Sequence, residues 1–579
     1  MNRVFQLMLF AVVLCSPAMR AAESDHPAAT PAYKLVKICS NFMFAKNVDD
    51  VIAVLTKASQ AGYNGVAITD SKFSRWFESV TVHRPEYDTN VKRLRQACRD
   101  LGLKFFAFSC DISNDLLSND PNLAEGMPVI DAPFLVKNGT LVGVDEDFAI
   151  VNGSFEQSSA ADRPTGWSVD DPGSVCFVDT EVASEGTSSL RIQDIKGKNA
   201  HGNGRIFQTI AVKPFRYYHL SLMVKTRDFV SADSIHVWVH GKQDLEFPAI
   251  DLKTTQDWTR IDIPFNTLDS TEVSLRIGSW GGVSGSLWID DVRVEPGGFV
   301  NLLRRESLPF SITSVDRRTV YVEGTDVADV KDPKTGNTDW PGLYKDWYGQ
   351  PSVRVPVGSR LKEGDRVLVG YSHASIVYGY GVFACLNEAK VWPLIERNLH
   401  ELHTVLQPDG YIMPYDEIRQ QGWDDGCVTS GKTPVANLIA HTRKYAQMIR
   451  AEDPGKPIFA WSDLYDPYHN AQKKGEPYYL VKGIDPWVGS WEGLDKDIVI
   501  LNWHGHPEKR AESLRFFADR GNRQVLCGFY DATSDNMVPW LKEAEGLKGI
   551  DGFMYTTWGN NYSELSKFLD VVAPPSHRP

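Results

Sequence analysis

Cysteine is scarce in this sequence, which has 8 cysteines among 579 residues. Seven of them lie beyond residue 22, at Cys39, Cys98, Cys110, Cys176, Cys385, Cys427 and Cys527. Their odd number and scattered positions do not indicate a disulfide framework. Their spacing along the chain is not that of a zinc-binding motif either. These absences exclude a small disulfide-stapled domain and a zinc finger as the organising unit of the chain.

Basic runs and Gly-rich phosphate loops are also absent from the sequence. Acidic residues outnumber basic ones by 74 to 61, and the formal net charge is −13. A chain with this balance lacks the positive surface by which proteins bind nucleic acid. We therefore expect no nucleic-acid partner.

Long apolar runs are missing as well, except for one near the start. The run from Val4 to Leu14 is too short to cross a bilayer. Arg3 precedes it and small residues follow it, a pattern that predicts a secretory signal peptide over residues 1–22. Leucine rather than a small residue precedes Cys15, which does not fit a lipoprotein anchor. We expect a secreted or periplasmic protein without a membrane anchor.

Aromatic residues, in contrast, are plentiful. They make up 11% of the chain and include 16 tryptophans. Many of these tryptophans lie at predicted strand ends, where they can stack on sugar rings as well as fill a core. A chain of 579 residues is too long for one ordinary core, so we expect two or three domains.

The first part of the chain alternates strand with helix. Strands are predicted at 35–39, 66–70 and 104–108, and amphipathic helices at 48–61 and about 89–101. Strands and helices that alternate with short turns predict a parallel sheet. We assign residues 33–145 to the first part of a barrel.

A different pattern runs from about Val151 to Glu295, where no helical period is found and short alternating runs dominate. This pattern predicts an antiparallel β-sandwich, which we place as an insertion at residues 146–298. Four motifs in it resemble carbohydrate-binding modules of the 4/9-like jelly-roll type. They are Asn152-Gly153-Ser154-Phe155-Glu156, Gly166-Trp167, Ser188-Ser189-Leu190-Arg191-Ile192 and Leu287-Trp288-Ile289-Asp290-Asp291-Val292.

That resemblance implies a domain that binds sugar, although a structural sandwich without a ligand has the same strand pattern. In modules of this kind a structural calcium often lies near the opening Glu and a closing Asp. The resemblance therefore implies a calcium held by Glu156 with Asp290 or Asp291, since hard oxygen ligands suit this ion. A buried, hydrogen-bonded acid is the alternative at these positions.

The barrel pattern resumes after residues 299–390, which are rich in Pro, Gly and charge and predict connecting hairpins. We assign residues 391–575 to the second part of the barrel, with helices from Val391 and from about Pro434. Its five strands are predicted at 411–416, 457–461, 498–503, 524–530 and 552–558.

One further strand, 366–371, belongs either to the insertion or to the barrel. We assign it to the insertion, because the remaining eight strands then close a barrel. The predicted fold class is α/β, a (β/α)8 TIM barrel with an inserted all-β jelly-roll sandwich.

The predicted strand ends carry acids and aromatics. One strand ends in adjacent Asp416 and Glu417, which can share a site only where the strand breaks into a loop, because successive strand residues point to opposite faces. The other strand ends carry Asp70, Trp461, Asp463, Trp503, His504, Tyr530, Asp531 and Trp558. Aromatic faces stack on sugar rings, and carboxylates bind hydroxyls and move protons. We therefore predict a carbohydrate site at the C-terminal rim of the barrel, with these side chains as its substrate-binding groups.

Adjacent Asp and Glu on the fourth strand, with Trp on strands five, six and eight and Tyr on strand seven, resemble family 20 glycoside hydrolases, the β-hexosaminidases. In that family the acetamido oxygen of the substrate attacks the anomeric carbon. The resemblance implies that Asp416 orients the acetamido group, that Glu417 is the general acid/base, and that Tyr530 contacts the acetamido group. It also implies that Trp461, Trp503 and Trp558 wall the pocket, and no cofactor is implied for catalysis.

The residues before the acidic pair depart from that family. The usual motif of that family is His-x-Gly-Gly-Asp-Glu, whereas this chain has Ile-Met-Pro-Tyr-Asp-Glu. The difference weakens the inference of an acetamido sugar more than the inference of a hydrolase. A glycosidase that acts on another sugar through a second acid, Asp463 or Asp531, is one alternative. A non-catalytic glycan-binding protein is the other. Arg419 either binds an acidic substituent of the sugar or holds Glu417 or Asp416 in place.

Overall fold

The computed structural model describes residues 31–573 except 77–82, 146–147, 161, 200, 249, 378–380 and 505. The predicted signal peptide, residues 1–22, lies outside the described residues. Within the described ranges, no helix is both long enough and apolar enough to cross a membrane.

Residues 33–108 form three parallel strands joined by two helices. These elements are β1 (Tyr33–Cys39), α1 (Ala45–Ala61), β2 (Gly65–Thr69), α2 (Arg84–Asp100) and β3 (Lys104–Phe108). Helix α1 buries one face through Val48, Val51, Leu55 and Ala58, whose spacing of three and four residues follows the helical period. It ends at Gly62, whose left-handed φ of 102° lets its N–H reach the last carbonyls of the helix.

The chain then leaves the barrel through α3 (Asn114–Leu117), β4 (Met127–Lys137) and β5 (Thr140–Gly143) and enters the predicted sandwich. The sandwich contains β6 (Ser158–Ala160), β7 (Arg163–Pro164), β8 (Ser168–Val169), β9 (Cys176–Asp179), β10 (Ser189–Gln193), α4 (Ile195–Lys198), β11 (Asn203–Ala211), β12 (Tyr217–Arg227), β13 (Ile235–His240), β14 (Asp244–Glu246), β15 (Gln256–Asn266), β16 (Glu272–Trp280) and β17 (Ser286–Pro296).

Two five-stranded antiparallel sheets make up this sandwich, in the orders β15-β12-β17-β10-β9 and β14-β13-β16-β11-β8. Alternate residues of β11 and β12 point into the core between the sheets, as in a half-buried strand. The predicted antiparallel sandwich is confirmed. Its two ends meet, because the Val292 N–H donates to the Gly153 carbonyl at 2.9 Å.

A third sheet lies outside both the sandwich and the barrel. Its later strands are β18 (Leu302–Leu303), β19 (Ser311–Ser314), β20 (Val353–Arg354) and β21 (Arg366–His373). The order is β18-β21-β4-β5-β20, and β19 also pairs with β21. The assignment of all of 33–145 to the barrel is therefore wrong for β4 and β5. Residues 299–390 are more than connecting hairpins, since they complete a sheet with its own apolar core around Phe134 and Phe299.

The second part of the barrel follows this sheet. Its elements are α5 (Val391–Leu406), β22 (Gly410–Ile412), β23 (Gln420–Gln421), α6 (Asp425–Ser430), α7 (Pro434–Glu452), β24 (Ile458–Trp461), β25 (Leu480–Val481), β26 (Val499–Asn502), α8 (Arg510–Arg520), β27 (Gln524–Phe529), α9 (Met537–Ala544), β28 (Ile550–Thr556) and α10 (Leu565–Val572).

Eight strands close a parallel barrel in the order β1-β2-β3-β22-β24-β26-β27-β28. The predicted count of eight is confirmed, because β21 pairs with β4 rather than with a barrel strand. Large apolar side chains such as Phe106, Phe459 and Met554 fill the barrel interior. Val36, Ile38 and Val66 belong to the layer between the strands and the surrounding helices.

The fifth crossover of the barrel departs from the strand–helix pattern. Between β24 and β26 the described segment 462–498 contains short 3-10 turns and β25 but no α-helix. This segment lies beside the acidic pair, since its Asp463 accepts a hydrogen bond from the Glu417 backbone. The start of this crossover therefore builds part of the barrel mouth, while Trp487 and Leu494 near its end belong to the same apolar cluster as residues of α7.

Candidate active site

A cavity of about 560 Å³ opens at the C-terminal ends of the barrel strands. Side chains from the first, second, third, fourth, fifth and eighth barrel strands, or from the loops that follow them, line it. Those with chemical or stacking capacity are Lys37, Asp70, Asp111, Asp115, Asp416, Glu417, Arg419, Trp461 and Trp558. The structure thus gathers most of the predicted site residues around one cavity.

Asp416 and Glu417 share this site because the strand ends early. Strand β22 stops at Ile412, and Glu417 has a left-handed φ of 41°, which breaks the alternation of an extended chain. The backbone N–H of Glu417 donates to Asp463 Oδ2 at 2.9 Å, which holds this uncommon conformation. The expectation that the pair lies where the strand breaks into a loop is confirmed.

Asp416 forms a carboxyl pair with Asp463. The two groups lie within hydrogen-bond reach, and burial, Asp463 and Glu417 hold the pKa of Asp416 well above its usual range. Burial also raises the pKa of Asp463, to about 6, although the Glu417 N–H opposes that rise. Asp416 Oδ1 is buried and meets no donor among the described residues. The raised pKa values favour a proton shared between the two carboxyl groups, and one oxygen of Asp416 is left for a ligand.

Asp463 itself is surrounded by donors. Its Oδ2 also accepts from Asn470 Nδ2 at 3.0 Å, and its Oδ1 lies 3.4 Å from Trp503 Nε1. These contacts come in addition to the bond from the Glu417 backbone. The hydrogen bonds of the Asp463 carboxylate therefore hold the Glu417 backbone, Asn470 and Trp503 in place.

Glu417 pairs with Arg419, whose Nη2 lies 2.6 Å from Oε2 of the carboxylate. The Glu417 side chain is 37% exposed, whereas that of Arg419 is 10% exposed. Of the two roles predicted for Arg419, the structure shows the one that holds Glu417 in place.

Lys37 is a component of the cavity that the sequence analysis missed. It is fully buried on β1 between the apolar residues Val36 and Ile38, and its Nζ lies 3.4 Å from the centroid of the Trp558 ring. Burial lowers the pKa of Lys37 to about 8, and Asp416 and Asp531 are among the charges that oppose this shift. A charged residue inside an apolar strand is the signal that marks it in the sequence.

Lys37 also predicts a pH dependence of stability. The folded-state pKa of about 8 lies below the ordinary value, so the unfolded chain binds more protons between pH 8 and about 10.4. Raising the pH through this window should therefore stabilise the fold, by on the order of 3 kcal/mol from this group alone. Denaturant unfolding of wild type and Lys37→Met below pH 8 and near pH 10 should show this rise in the wild type only. Lys104→Met, at an exposed position on β3, should retain the rise. An equal rise in Lys37→Met would contradict the assignment.

Asp111 and Asp115 are further cavity acids that the sequence analysis missed. Both follow β3, and Asp111 accepts hydrogen bonds from the backbone and side chain of Ser113. Arg75 Nη1 lies 3.8 Å from Asp115. Burial raises the pKa of both carboxyl groups, and each carboxyl is close enough to the cavity to meet a ligand.

Three of the predicted site residues have hydrogen-bond partners within the protein, and their role in binding stays a prediction. Asp70 lines the cavity, but its carboxylate accepts from Phe42 N, Lys72 N and the Tyr87 hydroxyl. The His504 ring lies 2.8 Å from the Tyr468 carbonyl. The carboxylate of Asp531 accepts from the Thr557 hydroxyl and from the N–H groups of Trp558 and Gly559. Asp531 thereby fixes the loop that presents Trp558, which is 58% exposed.

A second cavity, of about 520 Å³, lies on the other side of Glu417. The sandwich supplies one wall through the turn from His240 to Asp244, and the barrel mouth supplies His469, Tyr478 and Trp503. Gln243 Nε2 donates to the Tyr479 carbonyl at 2.8 Å, which connects the two walls. Nothing in the sequence pattern indicated that the inserted domain reaches the barrel mouth.

The remaining aromatic residue, Tyr530, packs against the top of the barrel interior. Its ring centroid lies 6.3 Å from that of Trp503, and burial raises the pKa of its hydroxyl, with smaller contributions from Cys527 and Asp416. Tyr530 is therefore close to the carboxyl pair, on the side of Trp503.

The predicted calcium ligands are in contact with backbone donors. Glu156 accepts from the N–H groups of Thr187 and Ser188, and Asp290 accepts from those of Ser184, Glu185 and Asp291. Asp291 pairs with the guanidinium of Arg293. Asp290 is thus a buried, hydrogen-bonded acid, the alternative that the sequence left open, and the calcium remains a prediction.

Comparison with known proteins finds a family match within the sandwich. Residues 148–282 match a family model described as a carbohydrate binding domain, of the 4/9 type. No curated protein matches the chain.

Several solved structures are similar to part of the chain. A structure described as family 16 carbohydrate binding module-2 is 22% identical over 25% of this chain and 98% of its own, with a TM-score of 0.19. The CBM22-1 xylan-binding domain of Xyn10C from Paenibacillus barcinonensis is 13% identical over 26% of this chain and 97% of its own, with a TM-score of 0.21.

The family model covers three of the four sequence motifs that had indicated such a module, and the fourth, at residues 287–292, lies just beyond its end. The match starts after β5 and ends between β16 and β17, so it leaves out the last strand of the sandwich. The inserted sandwich of this chain thus matches a family of carbohydrate-binding domains over residues 148–282.

Proposed function

We propose that this protein is a secreted or periplasmic glycoside hydrolase, with its catalytic site at the mouth of a (β/α)8 TIM barrel and Glu417 as the general acid/base. One observation carries the proposal: Glu417 lines both cavities. A general acid must reach the oxygen that joins the sugar in one subsite to the leaving group in the next. A carboxyl group at the boundary of two adjoining cavities has that position.

The first cavity supports binding of the sugar that is cleaved off. Its volume of about 560 Å³ is that of a small-molecule site, which favours an exo-acting enzyme. Trp461 and Trp558 offer aromatic faces for the apolar side of a sugar ring. The acids Asp111 and Asp115 supply acceptors for sugar hydroxyls.

The contact with Arg419 supports the carboxylate form of Glu417, which is the form that accepts a proton in the second half of the reaction. When Glu417 donates its proton to the leaving oxygen, a carboxylate remains. Arg419 Nη2 is 2.6 Å from Oε2 and stabilises that charge at low exposure. The same carboxylate then accepts a proton from the attacking water.

The carboxyl pair supports a substrate-assisted reaction on a 2-acetamido sugar. In such a reaction the acetamido oxygen forms a bond to the anomeric carbon while the bond to the leaving oxygen breaks. Asp416 has a buried oxygen without a protein donor, and an acetamido N–H is a donor that fits it. Asp463, the first rival nucleophile, is held by Glu417, Asn470 and Trp503. Asp531, the second, faces the 557–559 loop.

A second candidate function rests on Asp115. This acid lines the same cavity as Glu417 and could act directly on a sugar without an acetamido group. A panel of chromogenic glycosides, with and without 2-acetamido groups, separates the two. Hydrolysis confined to acetamido sugars supports the first function, and hydrolysis of other sugars that Asp115→Asn abolishes supports the second. If no glycoside is cleaved and Glu417→Gln leaves glycan affinity unchanged, the protein is a glycan-binding protein.

The inserted domain supports a glycan rather than a small glycoside as the natural substrate. Its 240–244 turn walls the cavity in which the leaving group would lie, and its family is carbohydrate-binding. We expect residues 146–298, expressed alone, to unfold cooperatively, because their two sheets enclose a core and their ends meet.

Affinity electrophoresis on a glycan panel then tests the binding function of this fragment. Retardation by a glycan would support binding, and folding without retardation would leave the sandwich as a spacer. An insoluble fragment would argue that the boundaries are wrong, since Trp423 and Leu480 from outside the fragment pack against the sandwich core.

A further inference from the structure

We propose that Glu125, Cys385, Asp424 and Cys427 bind a zinc ion behind the barrel mouth. One ligand atom from each residue lies within 4.8 Å of the others, and all four side chains are buried. The cluster is separate from both cavities of the barrel mouth. Their spacing along the chain, with Glu125 some 260 residues before Cys385, explains why the sequence shows no zinc-binding motif.

Backbone contacts already hold the four ligands in place. The N–H of Glu125 donates to the Phe383 carbonyl at 2.8 Å, and the N–H of Cys385 donates to the Leu123 carbonyl at 2.9 Å. This short antiparallel pairing sets Glu125 beside Cys385. Asp424 caps helix α6 by accepting from the Cys427 N–H at 2.7 Å, which sets the other two ligands together. Little rearrangement would be needed to bind an ion.

The spacing of the two sulfur atoms suits tetrahedral zinc. The Sγ atoms of Cys385 and Cys427 are 3.4 Å apart. Two sulfurs on one tetrahedral zinc lie about 3.8 Å apart, given zinc–sulfur bonds of about 2.3 Å. A disulfide needs about 2.05 Å between the sulfurs.

One carboxylate oxygen points into the cluster. Oε1 of Glu125 accepts from the N–H groups of Trp423 and Asp424, at 2.7 and 3.2 Å. Oε2 of Glu125 lies 3.9 Å from the Sγ atom of Cys427. A thiol is only a weak hydrogen-bond donor. Glu125 is 0% exposed, so water does not reach this oxygen from the surface. A buried carboxylate oxygen without a strong donor among the described residues is a ready metal ligand.

The ligand chemistry selects zinc among the common ions. Two thiolates disfavour calcium and magnesium, which take oxygen ligands, while zinc accepts both sulfur and carboxylate oxygen. Four anionic ligands around a divalent ion leave an excess of two negative charges. Arg305 pairs with Asp424 at 2.5 Å and with Glu388 at 3.2 Å, and its buried guanidinium offsets part of that excess.

The ion would join the segments that support the catalytic loop. Phe383, between the Glu125 and Cys385 contacts, lines the first cavity. Gln421, two residues after Arg419, donates to the Ala384 carbonyl at 2.8 Å. Zinc would therefore fix the far end of the segment that begins with Asp416 and Glu417.

Metal analysis of the full-length protein tests the proposal. The protein, purified without chelator, should contain one zinc per chain by mass spectrometry of the element. Cys385→Ser with Cys427→Ser should remove it, and Cys176→Ser, which changes a buried thiol of the sandwich, should retain it. If the double variant fails to fold, Glu125→Gln, which keeps the size and shape of the side chain, provides the test and should also lower the zinc content.

Cobalt supplies an independent spectroscopic measure. Protein stripped of metal and titrated with Co²⁺ should develop the thiolate charge-transfer band and the visible bands of a tetrahedral site, and Cys176→Ser should do the same. Chelation should lower the unfolding temperature of the wild type and leave that of the double variant unchanged.

Three results would overturn the proposal. The first is a wild type without zinc that shows no thiolate–cobalt band. The second is an intact mass lower by two hydrogen atoms, with Cys385 and Cys427 linked in one proteolytic fragment, which would identify a disulfide. The third is equal zinc content in all variants, which would place the metal elsewhere.

Discussion

Replacing Glu417 with Gln is expected to lower the turnover of a cleaved glycoside by about 10²–10⁴-fold, the usual effect of losing a general acid. Gln keeps the size of the side chain and can still contact Arg419 and the two cavities, but it cannot give a proton to the leaving oxygen. Steady-state kinetics on an aryl glycoside measure the effect. A substrate whose leaving group needs little protonation should be cleaved with a smaller loss than one with a poor leaving group.

The matched control is Glu396→Gln, at an exposed position on α5, which should leave turnover unchanged. Circular dichroism and unfolding temperature should agree among all three proteins, since Glu417 is partly exposed and its backbone, not its side chain, bonds to Asp463. Turnover of Glu417→Gln close to that of the wild type would remove Glu417 from the reaction.

Replacing Asp416 with Asn is expected to lower turnover by about 10²–10³-fold, which is typical of losing one preorganised electrostatic contact to the transition state. We expect the proton shared by Asp416 and Asp463 to move to Asp463 when an acetamido N–H donates to Asp416, so that Asp416 then carries the negative charge. That charge stabilises the positive charge that develops as the acetamido oxygen closes on the anomeric carbon. Asn can hydrogen-bond to the acetamido group but stays neutral.

Two measurements separate this role from that of a nucleophile. External azide should not rescue Asp416→Asn as a glycosyl azide of inverted configuration, because no enzyme carboxylate has been removed from the bond-forming position. A thiazoline analogue of the cyclised intermediate should inhibit the wild type better than the simple sugar does, since it resembles the state that the site stabilises.

The opposite set of results would identify an enzyme nucleophile. A fluorinated glycoside that labels Asp463, Asp531 or Asp115 covalently, together with no inhibition by the thiazoline, would show that a protein carboxylate attacks the sugar. Asp535→Asn, at an exposed position, is the control for nonspecific effects of removing an acid.

The barrel and the sandwich were predictable because each has a strong period in its sequence. Apolar residues of α1 recur every three and four positions, and strands such as β11 and β12 alternate. The third sheet was not predictable, since β18 and β20 have two residues each and β4 contains two prolines, which argue against a strand.

The candidate site was predictable where it follows a strand directly. Asp416, Glu417 and Trp461 lie at or just after the ends of their strands, and the structure brings them to one cavity. Lys37 could have been predicted as a site residue, because it is the one charged residue in the predicted strand 35–39. The 240–244 turn was beyond prediction, because its place at the barrel mouth depends on how the sandwich packs and not on any local pattern. The contacts of His504 and Asp531 with other loops were not predictable, because those loops are 26 or more residues away along the chain.

The nested pairings around the insertion determine how the barrel can be completed during folding. Barrel strands β3 and β22 pair through Phe106 and Gly410, which are 304 residues apart (410 − 106). Inside that span Met127 pairs with His373, and inside that Val292 bonds to Gly153. Once the inner two pairings exist, only 21 residues on one side (106 to 127) and 37 on the other (373 to 410) still have to be ordered. Because closure entropy grows with the logarithm of loop length, this sequence of events reduces the cost of joining the two halves by about 1.5 kcal/mol. Folding from the innermost domain outward therefore lets a barrel whose fourth strand is made hundreds of residues after its third still close as one unit.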